Sequence, residues 1–129
     1  MLRRTLLGSA VAIPALAACA TTGASDPMAP LPQDVHSYAR PDEARVRHVS
    51  LDLTADFERK VFFGKATLHI VARPDAREIV LDSDGLVIQA IRTGGRAMPY
   101  TVGETREGEG APLTIQLDGA RTIEIEYES

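Results

Sequence analysis

The chain has 129 residues, 44% of them hydrophobic and 25% charged, with a formal charge of −4. One small soluble domain is the most this length can build. The acidic balance and the six aromatics, none of them Trp, argue against nucleic acid as a partner, which needs a basic face and stacking rings.

In chain order, the first element is an address. Arg3 and Arg4 precede an apolar run from Leu6 to Leu16 that is too short to span a bilayer and ends in small residues. Residues 1–18 therefore read as a signal peptide. Leu16-Ala17-Ala18-Cys19 resembles a lipobox, with Cys19 as the thiol that takes a diacylglyceryl group. The arginine pair fits either a Sec signal or a twin-arginine signal whose leading Ser is replaced by Leu2. The expected location is the cell envelope, lipid-anchored on the periplasmic side. Ala20 after the lipid matches the enterobacterial pattern for outer-membrane sorting. Loss of the leader leaves 12 basic against 18 acidic side chains, so no basic patch assists the acyl chains.

Residues 19–34 follow as the lipidated cysteine and a tether. Pro27, Pro30 and Pro32 stand among Ala, Thr, Gly and Ser without any period, the composition of a disordered stalk. Residues 35–129 then read as strands. Val49, Leu51, Leu53, Ala55 and Phe57 alternate with Ser50, Asp52, Thr54, Asp56 and Glu58, which predicts a strand with one buried and one wet face. Glu58-Arg59-Lys60 is a turn. Phe62 to Val71 alternates again, closes an antiparallel hairpin and ends at Arg73-Pro74-Asp75.

Further short strands are predicted over 78–82, 87–92, 98–102, 113–117 and 123–127, with turns at Ser83-Asp84-Gly85, Gly94-Gly95 and Asp118-Gly119. The 98–102 strand is the weakest, and 103–112 reads as a polar loop. No segment has helical period. About seven short strands make an all-β, antiparallel β-sandwich or twisted-sheet domain.

Sequence motifs for chemistry are sparse. His36, His48 and His69 are the only imidazoles and no His-Glu-x-x-His occurs, so no metal ligand set is assigned. His48 and His69 fall on wet strand positions and read as solvated. Asp82-Ser83-Asp84-Gly85 opens like a calcium loop but lacks its later acids, so it reads as a plain turn. Glu104, Glu107 and Glu109 share one solvated loop, which cannot hold two carboxyls at different pKa values. No Gly-x-Ser-x-Gly elbow and no phosphate loop occur. No catalytic or cofactor-binding residue is assigned; Cys19, as a lipidation site, is the one assigned position.

His36-Ser37-Tyr38-Ala39-Arg40-Pro41-Asp42-Glu43, the strand Leu51-Asp52-Leu53-Thr54-Ala55-Asp56-Phe57, and the hairpin residues Gly64-Lys65-Ala66-Thr67-Leu68 together resemble the opening of a zinc aminopeptidase. The family is that of aminopeptidase N and leukotriene A4 hydrolase, in its hydrolase-like branch. Ile79-Val80-Leu81-Asp82 and Ile123-Glu124-Ile125-Glu126-Tyr127-Glu128 fit the same branch, so the resemblance covers about 36–129. Phe62-Phe63 departs from the family's Leu-Ser-like pair. The resemblance implies a saddle-like N-terminal β domain, here incomplete, beside a thermolysin-like catalytic domain as its partner. It implies zinc in that parent and none in this chain. The family's substrate-binding strand, zinc ligands and tyrosine match no position here, so no functional residue carries over. The expected function is scaffold: inactive alone, within a parent that removes N-terminal residues from peptides. The alternative is a free-standing β-sandwich lipoprotein for binding or envelope assembly. On the first reading, the apolar face of the last strand, Ile123, Ile125 and Tyr127, is expected to lie bare at a cut edge, with Glu124, Glu126 and Glu128 repelling on the other face.

Overall fold

A computed structural model describes residues 26–129. The signal peptide, the lipobox and Cys19 lie outside the described residues. At 26–34 no strand forms. The guanidinium of Arg45 donates to the carbonyls of Pro27 and Ala29, which ties this stretch to the first strand.

The described residues are all-β and antiparallel. β1 (Ala44–Asp56) and β2 (Val61–Ala72) form the long hairpin; β3 (Glu78–Ser83), β4 (Val87–Thr93), β5 (Arg96–Ala97), β6 (Tyr100–Val102), β7 (Ala111–Gln116) and β8 (Thr122–Glu128) follow. One sheet runs β1-β2-β8-β4-β5 and the other β3-β7-β6. Each faces the other through alternating apolar side chains, which is what a period of two dictates. Ile79 and Ile115 from the small sheet meet Ile91 and Ile123 from the large one, with Leu117 at the link between them, all at most 2% exposed.

The hairpin closes through a turn that Asp56 caps: its Oδ1 accepts from the backbone N–H groups of Glu58 (3.0 Å) and Arg59 (2.9 Å). Phe57, expected on the buried strand face, stands in this turn and is 87% exposed. Gly64 sits opposite Leu53 with φ 149°, and a Cβ there would lie 2.2 Å from the carbonyl oxygen of Asp52. The glycine of the family-like hairpin motif is thus required by the close approach of β1.

Three further expectations change. The segment 98–102 is not one strand. Arg96–Ala97 pairs with β4, the chain crosses between sheets at Met98-Pro99, and Tyr100–Val102 pairs with β7. Pro99 lacks an N–H, but its carbonyl still accepts from Gln116 (3.0 Å) while Met98 donates to Ile91 (2.9 Å). The break in ladder partners is where one sheet hands over to the other. The polar loop ends earlier than expected, since Ala111 and Pro112 are the start of β7.

The last strand is not an edge. β8 lies between β2 and β4, so Ile123 and Ile125 are buried. Its three glutamates face cations nearby: Lys65 on β2 with Glu124 (3.1 Å), Arg92 on β4 with Glu126, and Arg59 in the β1–β2 turn with Glu128. These pairs are exposed, and each contributes a few tenths of a kcal/mol up to about 1. The bare apolar surface lies instead on β1 and its surroundings. Val49 is 48% exposed and Leu51 61%, with Phe62 also open on the same face. The reason is size: three short strands cannot cover five, so this end of the large sheet has nothing above it.

Candidate functional site

The densest polar constellation gathers where residues 36–43 cross the small sheet. Asp82 on β3 receives this strap. Its Oδ2 accepts from the Ser37 hydroxyl (2.6 Å) and its Oδ1 from the Tyr38 N–H (2.8 Å), while Ser37 Oγ accepts from the Ala39 N–H (3.1 Å). The Tyr38 hydroxyl donates to Glu109 (3.3 Å) and the Arg106 guanidinium stands 5.6 Å from its ring centre. Desolvation, partly offset by Arg106, raises the phenol pKa above its usual value, and the Glu109 carboxylate adds to the rise. Glu109 is thereby engaged with the strap rather than free in a solvated loop.

A second cluster flanks it. Glu78 accepts from Arg40 and from the Gln116 amide (2.9 Å), and Arg40 also pairs with Glu43. The hydrogen bond from Arg40, then that from Gln116, holds the Glu78 carboxyl below the usual carboxylate range. An open cavity of about 420 Å³ lies here, lined by Arg40, Glu43, Arg73, Asp75, Ala76, Arg77, Glu78 and Gln116. Its three arginines balance its three carboxylates, and it contains no hydroxyl, thiol, amine or imidazole to act as a nucleophile. It is chemistry suited to holding a strap, not to catalysis.

The motif His36 to Glu43 therefore has a structural reading: Ser37, Tyr38 and Arg40 are the side chains and backbone that Asp82, Glu109 and Glu78 grip. Asp82, read in the sequence as a strand end, a turn residue and part of the family-like block, is the clasp. The chain bends at Asp84-Gly85, while Ser83, expected in that turn, is the last residue of β3. Residues 45 apart in sequence cannot be paired from spacing, so this role was not legible there.

The histidines are placed differently. His36 lies in the strap, while His48 and His69 face each other across β1 and β2 with ring centres 5.5 Å apart. Among the described residues no group of three or more His, Cys, Asp or Glu is placed to hold a metal ion. Among them, too, no helix is long and apolar enough to cross a membrane.

No family model matches the chain. Leucine aminopeptidase 2 of Phaeosphaeria nodorum is 36% identical over 100 residues, which cover 74% of this chain and 16% of that protein. This chain is a homologue of the leucine aminopeptidases and leukotriene A4 hydrolases. The leukotriene A-4 hydrolase of Xenopus laevis is 27% identical over 85 residues, 65% of this chain and 14% of its own length. The fold agrees. The solved structure of native leukotriene A4 hydrolase from Saccharomyces cerevisiae superposes with a TM-score of 0.66 at 20% identity, over 75% of this chain and 17% of that one. A structure of the yeast enzyme in complex with bestatin gives 0.69. The all-β architecture is that of the N-terminal β domain of such hydrolase-like aminopeptidases. The matched stretch spans about one sixth of the homologues' length.

Proposed function

We propose that this chain is the N-terminal β domain of a cell-envelope zinc aminopeptidase, tethered by lipid on Cys19 and serving as scaffold. The observation that carries the reading is the 36% identity to a leucine aminopeptidase over 100 residues. The zinc of such an enzyme does not fit the described residues here. Hydrolytic zinc needs three protein ligands and an open position, and these residues contain no such set. No catalytic step is assigned to them.

The partner is the catalytic domain of the same peptidase. Its seat is the bare end of the large sheet, where Val49, Leu51 and Phe62 are exposed on one face. Burying an apolar side chain of this size is worth about 1.5–3 kcal/mol, so a domain placed there gains a hydrophobic contact that this sheet leaves unmade. Most of a homologue's length lies outside the matched stretch and supplies the covering chain.

An antibody raised against residues 35–129 tests this in envelope membranes. The expected capture is a protein several-fold longer than 129 residues, with chelator-sensitive cleavage of leucine anilide. Capture of a short protein alone, with no such activity, overturns the proposal.

A further inference from the structure

We propose that His48 and His69 form a binding site for a borderline divalent transition-metal ion, with solvent completing its shell. The two residues are direct cross-strand partners, and both are exposed on the outer face of the large sheet. A β-bulge creates the pairing. Val46 pairs with Ile70 and His48 with His69, so Arg47 is the extra residue. In an unbulged ladder, Arg47 would face His69 and His48 would point into the core. Bulges re-aim side chains in this way, and they concentrate at edge strands and functional sites.

The ring geometry suits a shared ion. A metal–nitrogen bond of about 2.0–2.1 Å puts each ring centre about 3.2 Å from the metal. Centres 5.5 Å apart then subtend an angle of about 120°, close to tetrahedral. One nitrogen of each ring is engaged: His48 Nε2 lies 3.1 Å from Ser50 Oγ, and His69 Nδ1 lies 3.4 Å from Thr122 Oγ1. With each hydroxyl accepting, the proton sits on that nitrogen, and His48 Nδ1 and His69 Nε2 present lone pairs. Fixing the tautomer through the far nitrogen is how proteins orient metal-binding imidazoles. Neutral imidazole favours zinc, copper and nickel over magnesium or calcium.

The test titrates zinc into the full chain carrying Cys19→Ser, so that the thiol does not compete, and follows imidazole nitrogen shifts by NMR. The His48 and His69 signals should move together and saturate at one equivalent, with His36 unmoved. His48→Gln and His69→Gln should each weaken binding at least tenfold while leaving the melting temperature unchanged. A loss smaller than tenfold in either variant, or His36 shifting over the same zinc range, overturns the site.

Discussion

Replacing Gly64, inside β2, with Ala should damage this domain more than a glycine substitution in an open turn. The added Cβ lies 2.2 Å from the Asp52 carbonyl oxygen and 3.0 Å from the Leu53 Cα. Both are backbone, so no side chain can swing aside; β1 itself must retreat from β2. The φ of 149° adds strain for any residue with a Cβ. Strained backbone costs about 1–3 kcal/mol and overpacking about 1–3 kcal/mol. Together they remove about 2–6 kcal/mol from a total that is commonly about 5–15. Each kcal/mol lowers the melting temperature by about 4–8 °C in a domain of 60–100 residues, so a drop of about 10 °C or more is expected. Gly94→Ala is the comparison. It also has positive φ, 53°, but no atom lies within 4 Å of its Cβ position, so only the backbone penalty remains, about 1–2 kcal/mol. The assay is thermal and urea unfolding of the chain, followed by circular dichroism. If Gly64→Ala melts no lower than Gly94→Ala, the close approach does not explain the glycine.

Asp82→Ala removes both acceptors that hold Ser37 and Tyr38; it should cost about 1 kcal/mol, given the exposure of the site, and speed hydrogen exchange at the Tyr38 amide, whereas unchanged exchange there refutes the clasp. Glu78 has a lowered folded pKa, so its contribution is present above the ordinary carboxylate value of about 4.3 and is lost as pH falls through the folded value. The stability gap between wild type and Glu78→Gln should therefore shrink on acidification; a gap that grows contradicts the assignment. Leu51→Lys acts on a side chain 61% exposed; it should leave the melting of this chain within about 0.5 kcal/mol but lower aminopeptidase yield in the assembled enzyme, and a large loss of the chain's own stability would show that the face is covered. A clickable palmitate should label wild type and not Cys19→Ser; equal labelling removes the lipid anchor.

The period of two in 49–57, 62–71, 113–117 and 123–127 was enough to establish an all-β chain and its main hairpin, because alternation reports directly on a pleated backbone with one apolar face. The opening His36 to Glu43, read with the later strands, was enough to suggest the peptidase family. What alternation cannot report is whether anything lies over that face. Val49 and Ile125 belong to equally regular runs, yet one is open and the other buried, because β8 inserts between β2 and β4 while β1 is left at the rim. Strand order is a long-range property, set by which sheet covers which. Local pattern is equally silent on the sheet change at Met98-Pro99, on Asp82 reaching back to Ser37 and Tyr38, and on the bulge at Arg47 that brings His48 to His69. Each depends on residues far apart in the chain meeting at one place, and only the folded molecule decides where they meet.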